Sequence, residues 1–274
     1  MSTIERGVSG WDCHAHVFGP YDRFPLAPER SYTPPEAPLE QYLVMLKRLG
    51  LSRGVLVHPS AYSDDYSLLL NVLAAQPQLR GVIVTRDSSV AALKDVRARG
   101  VRAARFSHRA GAGTNFSGSA TFDDLLRMKG TLADAGLHAE LWTDCKMLPA
   151  IAAELRRLPF PVVVDHMGGF DPAAGVDDEG FRTLLSLLQG GHVWVKLCVY
   201  RNTLKAASIG AGQPFHQKMI EVNPSQLVWG SDWPHLNVEP QPDPAVLLQT
   251  FKDWTPDETF VRHILIDNPA RLYA

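Results

Sequence analysis

Three short stretches gather the residue types that can move protons and polarise a carbonyl. The first is Asp12-Cys13-His14-Ala15-His16. Side chains alternate along a strand, so His14 and His16 share a face. Two imidazoles side by side suit a metal ion, an oxyanion or a bound carbonyl. The second is the apolar run Val162-Val163-Val164, which ends in Asp165-His166. A polar pair at the tip of such a run needs partners or a task, because unpaired burial costs about 1–3 kcal/mol. His166 is the third candidate imidazole, and Asp165 is expected to orient a neighbour or tie down backbone. The third stretch, Val228-Trp229-Gly230-Ser231-Asp232, again ends in a carboxylate. Asp232 is the best general-base candidate in the chain. Burial and neighbouring groups are expected to bring its pKa nearer the working pH.

Each stretch sits at the end of a short apolar run, and such runs recur. They start near Trp11, Arg53, Arg80, Val101, Leu137, Phe160, His192 and Leu227. Their spacing of about 30 residues is that of a βα unit, and being apolar on both faces they read as buried parallel strands. The segments between them have helical period. Glu36 to Leu49 places Leu39, Tyr42, Leu43, Leu46 and Leu49 on one face. Thr121 is expected to cap a helix together with Asp124, and Gly136 to end it. Gly50 and Gly100 close two other helices in the same way. Eight strands alternating with helices predict a single (β/α)8 barrel over residues 1–274, a TIM barrel, in preference to an open sheet. Residues of the first, sixth and eighth strand ends would then meet at its mouth.

Two segments break the rhythm. Phe18 to Pro38 carries six prolines and is long for a βα connection. Following the His-Ala-His pair directly, it is expected to wall or cover a site, or else to pack on the barrel rim. Tyr200 to Pro214 bears Gly and Ser and is expected to be mobile.

Lys and Arg number 27 and Asp and Glu 29 in the 274 residues, for a formal charge of −2. That balance argues against a general binder of nucleic acid or anionic membrane. Cys13, Cys145 and Cys198 are too few and too scattered for a disulfide framework, and they read as reduced thiols. The first residues show no apolar leader, and no stretch nears the roughly 20 apolar residues of a membrane span. A cytoplasmic protein is expected, monomeric or homodimeric.

The motifs DCHAHVFGP, GVLVHPS, GVRAARF, VVVDHMGGFDP, VWVKLCVYR, VWGSDWPH and LIDNPARLY follow one another along nearly the whole chain. Taken together they resemble the amidohydrolase superfamily, and within it amidohydrolase family 2, the 2-pyrone-4,6-dicarboxylate lactonase-like hydrolases. The resemblance implies a (β/α)8 barrel that hydrolyses a lactone or similar cyclic ester. His14, His16 and His166 would hold the lactone carbonyl or a metal, and Asp232 would take a proton from the attacking water. Physical chemistry agrees: water needs a base, and the tetrahedral intermediate needs donors aimed at its oxyanion.

No metal is expected to be required. If a zinc binds, its ligands would be His14, His16, His166 and Asp232. The fourth run offers no bridging lysine, and the fifth presents Trp142 where metal-binding relatives often carry a histidine. His138 begins that run and is expected at the far end of the barrel. Arg105, Arg201 and Arg109 can fork onto carboxylates, which points to an acidic small-molecule lactone. Tyr200, Ser60, Trp142 and His235 complete the expected substrate contacts, with His58 and Tyr62 as further candidates. The rival readings are a zinc-dependent decarboxylase of an aromatic or enamine acid, a lactone isomerase and a silent binding protein.

Overall fold

The computed structural model describes residues 10–110, 117–204 and 208–274. The leader reading falls on residues 1–9, and part of the mobile-segment expectation on residues 205–207. Both lie outside the described residues.

All eight apolar runs are strands: β1 (Gly10–Ala15), β2 (Leu51–Val57), β3 (Leu79–Ile83), β4 (Val101–His108), β5 (His138–Thr143), β6 (Val162–Val164), β7 (Val193–Leu197) and β8 (Leu227–Trp229). They form one sheet in sequence order, and every neighbouring pair is parallel. The chain just beyond β8 closes the ring onto β1. Asp232 N donates to His14 O and His16 N to Trp233 O, both at 2.8 Å. This is the (β/α)8 barrel expected from the spacing, and the open sheet is excluded.

The helices begin and end where side-chain chemistry allows. Helix α1 spans Leu39–Arg48, shorter than the expected 36–49 because Pro38 stands at its N-cap. Between the strands follow α2 (Ser67–Ala75), α3 (Val90–Ala98) and α4 (Phe122–Ala135). Thr121 and Asp124 make the reciprocal capping box of α4, and Gly136 ends it with φ +70°. Then come α5 (Leu148–Arg157), α6 (Glu179–Gln189) and α7 (Gln213–Val222), with α8 (Pro244–Trp254), α9 (Glu258–Arg262) and α10 (Asn268–Tyr273) after the last strand. Among the described residues no helix is long and apolar enough to cross a membrane.

The core has two parts. One lies between strands and helices. The other fills the barrel floor with Trp11, Cys13, Val55, Val57, Trp194 and Tyr273, among others. His138 sits there too, buried against the Tyr273 ring with centroids 5.3 Å apart, at the end expected for it. The opposite, C-terminal end is polar.

The proline-rich segment packs on the rim and also walls the site. Phe18 and Phe24 are buried, Phe18 pairs with Ala37, and Tyr21 Oη donates to Pro34 O at 2.9 Å. Ser31 and Tyr32 from this segment line the cavity at the barrel mouth.

Candidate active site

The three predicted stretches do meet. His14 and His16 leave the end of β1, where the register against β2 shifts between Asp12 and Ala15. The shift lets Cys13 and His14 both face the interior, which simple alternation forbids. Gly230 makes room for this. A Cβ there would come within 2.7 Å of His14 Cβ, so the Trp-Gly-Ser-Asp motif needs its glycine.

His166 and Asp232 sit just past β6 and β8 with left-handed backbones, φ +48° and +59°. That conformation is costly for residues other than glycine and clusters at functional sites. Gly168 and Gly169 continue the left-handed turn behind His166 at φ +69° and +53°. Asn202 Nδ2 braces the turn by donating to His166 O at 2.8 Å.

Asp232 is the hub, and its two oxygens differ. Oδ2 accepts from Tyr200 Oη at 2.6 Å and from Arg201 Nε, and lies 3.5 Å from His166 Nε2. Oδ1 lies 3.4 Å from His16 Nε2 and 3.6 Å from His14 Nε2, yet accepts no aligned hydrogen bond. His14 Nε2 and both ring nitrogens of His166 are likewise buried without a hydrogen-bond partner. Such orphaned polar atoms are rare unless a ligand or water completes them. His16 Nδ1 donates to Val57 O at 2.8 Å, which fixes that ring and turns its Nε2 inward.

The electrostatics correct one expectation. Burial alone would raise the Asp232 carboxyl, but Arg201 and then His166 hold it well below the usual carboxylate range. It does not move toward neutrality. Burial pushes His166 below the ordinary imidazole range, and burial together with the Lys196 charge does the same to His14. Asp165 lies under the site and orients neighbours as expected. Oδ2 accepts from Arg105 Nε at 2.7 Å, and Oδ1 is 3.3 Å from His14 Nδ1.

Above Asp232 opens a cavity of about 310 Å³. His16, His166, Asp232, Arg105 and Arg201 line it, with Ser60 and Trp142 among its walls. His14 stands behind them, fully buried. The Arg105 guanidinium lies over the Trp142 ring, 4.9 Å from its centroid.

Four expected substrate contacts lie elsewhere. Tyr200 gives its hydroxyl to Asp232 and is absent from the cavity wall. His235 bonds Ser231 O through Nε2 at 3.1 Å and packs edge-on against Tyr200, one step further out. Tyr62 accepts from Gly19 N and stacks with Phe18, fixing the proline-rich segment. Arg109 also lies over the Trp142 ring, 4.5 Å from its centroid, pairs with Asp144, and lines an adjoining outer cleft. His58 does reach the cavity wall, with Nε2 bonded to Ser63 O at 2.8 Å.

Sequence reasoning passed over Lys196 and Glu140, both fully buried and paired at 2.5 Å beneath His14. Their signal was a lone charge inside each of two largely apolar strands.

Three imidazole nitrogens and one carboxylate oxygen surround the site, so a single zinc fits by donor type and number. His14, His16 and Asp232 offer ligand atoms within 4.8 Å of one another. Arg201 on Asp232 already supplies positive charge there. The buried Cys198 thiol, near His166 and Asp232, has its pKa pushed well above the ordinary range by burial and is no ready thiolate.

Known proteins are similar to this chain over nearly its full length. The 4-sulfomuconolactone hydrolase of Rhizobium radiobacter is 35% identical over 96% of this chain and 89% of its own. The 2-pyrone-4,6-dicarboxylate hydrolase of Comamonas testosteroni is 33% identical, again over 96% and 89%. A solved structure from Pseudomonas putida, described as a candidate 2-pyrone-4,6-dicarboxylic acid hydrolase, is 30% identical and superposes with a TM-score of 0.84 over 97% of both chains. The amidohydrolase family 2 model matches residues 11–274, from the first strand to the last helix, and the chain belongs to that family.

Proposed function

We propose that the protein is a hydrolase that opens a carboxylate-bearing lactone by Asp232-activated attack of water. The observation that carries this reading is the convergence of His14, His16 and His166 on Asp232, with orphaned polar atoms, in a cavity flanked by two arginines. Oδ2 of Asp232 is held by Tyr200 and Arg201, so Oδ1 is the oxygen that takes the proton from water. The imidazoles polarise the lactone carbonyl and receive the charge that grows on its oxygen. Protonated Asp232 then donates to the leaving ring oxygen, which returns the carboxylate. Arg105 and Arg201 meet the carboxylates of the substrate. Relatives named for sulfomuconolactone and pyrone dicarboxylate, both acidic lactones, support that substrate class.

The reaction as written needs no metal. Arg201 already places a positive charge beside Asp232. If a zinc binds, His14, His16, His166 and Asp232 hold it, and it supplies Lewis-acid polarisation of the carbonyl. Three unpaired buried cysteines suit a reducing compartment, which supports a cytoplasmic location.

The test is acid release by chelator-treated protein from a panel of 2-pyrone-4,6-dicarboxylate, a muconolactone and several aldonolactones and aldarolactones. Turnover of the acidic lactones without metal is expected. Silence that zinc reverses would make the histidines metal ligands. Acyl migration without net hydrolysis would make the protein an isomerase, and CO2 release with zinc a decarboxylase.

A further inference from the structure

A charge cluster lies beneath the reaction site, and the steps above do not use it directly. Lys196, on β7, is fully buried. Its ammonium donates to Glu140 Oε2 at 2.5 Å and lies 3.2 Å from both His14 Nδ1 and Asp165 Oδ1. The other carboxylate oxygens are taken. Glu140 Oε1 accepts from Tyr273 Oη at 2.8 Å, and Asp165 Oδ2 accepts from Arg105 Nε at 2.7 Å. Two cations thus face two carboxylates, and the cluster is neutral as a whole.

An ammonium has three N–H groups and no acceptor. Glu140 Oε2 takes one of them, and His14 Nδ1 takes a second provided it carries a lone pair, while Asp165 Oδ1 at 3.2 Å accepts no aligned hydrogen bond. The opposite tautomer fails twice. A proton on Nδ1 would confront the ammonium donor to donor across 3.2 Å and leave a buried lysine N–H unpaired. It would also have to seek Asp165 Oδ1 at 3.3 Å, which accepts no aligned hydrogen bond.

We infer that Lys196 is a positioning residue that fixes the tautomer of His14, placing its proton on Nε2 so that the ring turns an N–H donor, not a metal-binding lone pair, toward Asp232 Oδ1. The inference rests on the metal-free reading above and deepens it. The neighbouring ring is set the other way. His16 Nδ1 donates to Val57 O, so in the neutral ring Nε2 holds the lone pair. The two imidazoles therefore present one donor and one acceptor beside the same carboxylate oxygen. A water between them is oriented by both rings, with a proton free to point at Oδ1.

The test is two-bond 15N–1H correlation NMR on ligand-free protein labelled with 15N-histidine, with His14 assigned from Lys196-intact His14→Gln. The wild-type spectrum is expected to show His14 protonated on Nε2. Lys196→Met should move the proton to Nδ1, now free to bond Asp165. Lys196→Met/Glu140→Gln removes one charge of each sign and serves if the single variant does not fold. Metal-stripped variant should then bind zinc about tenfold tighter than wild type by calorimetry, since groups behind a ligand imidazole change metal affinity by about 10–100-fold. A wild-type His14 protonated on Nδ1 overturns the inference, and so does a variant whose His14 tautomer or zinc affinity is unchanged. No lactone enters either measurement, so its outcome is separate from that of the substrate panel.

Discussion

Asp12 and Asp232 are both fully buried aspartates at the seam where β8 meets β1, yet their surroundings set them apart. Asp12 is wrapped by neutral donors. Ser231 N and Oγ reach it at 2.8 and 2.7 Å, and Tyr42 Oη and His14 N at 3.3 Å. Those bonds do not offset desolvation, and its pKa rises to about 6. Asp232 faces Arg201 and three imidazoles, and its pKa falls well below the usual range. All of Asp12's lone pairs are spent inside the fold, whereas Asp232 lines a cavity and keeps Oδ1 without a hydrogen-bond partner. Burial by itself therefore does not set Asp232 apart. What does is an unspent oxygen, together with charges that keep it ionised.

The sharpest way to break this contrast is Asp232→Asn. The fold should survive, because the backbone bonds that close the barrel do not involve that side chain. kcat should fall by about 10²–10⁴-fold, the scale of a lost general base. Near-normal kcat in well-folded variant protein would remove Asp232 from the mechanism.

A smaller effect is expected from Arg201→Met. Loss of a charged hydrogen bond to a carboxylate, worth about 1.5–3 kcal/mol, should raise KM for carboxylated lactones by roughly 10–100-fold and for neutral ones far less. The same change should alter the pH profile. In the wild type the depressed Asp232 pKa leaves the carboxylate ionised until the pH falls below the ordinary carboxylate range. Removing Arg201 raises that pKa, so the acid limb of kcat/KM should move to higher pH. Equal losses on both substrate types, with an unmoved limb, would make Arg201 a structural residue.

The contrast also explains how much could be read from sequence. The eight strands were legible because β-branched and apolar runs recur at βα spacing, and α4 because Thr121, Asp124 and Gly136 mark its ends. The site was legible wherever a polar residue stands at the tip of an apolar strand, as His14, His166 and Asp232 do. Two charges deeper inside the strands were not. Lys196 in Val-Trp-Val-Lys-Leu and Glu140 in His-Ala-Glu-Leu-Trp lie on β7 and β5, and β6 runs between them. A charge in a doubly buried strand demands a partner, but only barrel closure says which one. Tyr200 and His235 were legible as neighbours of Asp232, but a motif does not say whether a hydroxyl faces a cavity or a carboxylate.

The Asp12 side of the contrast gives the smaller, structural effects. Asp12→Ala strands Ser231 N, Ser231 Oγ and Tyr42 Oη, and should cost about 1–3 kcal/mol of stability. The turnover of the folded fraction should change much less than in Asp232→Asn. Chemical denaturation alongside active-site-normalised kcat separates the two, and a kcat loss matching that of Asp232→Asn would place Asp12 in the chemistry.

The finest test uses pH. The Asp12 pKa is raised from 3.8 to about 6 on folding. Between those values the folded state binds more protons than the unfolded one, so this group's contribution to stability falls as pH rises through that window. The buried histidines work in the opposite sense. Their depressed pKa values make stability rise with pH up to the ordinary imidazole range. Asp12→Asn keeps the shape and removes only the titration. The difference in Tm between wild type and this variant, followed from pH 3.8 to about 6, should shift steadily against the wild type, while the histidine contribution cancels. A flat difference would mean that Asp12 stays ionised throughout, held by charges in the same way as Asp232.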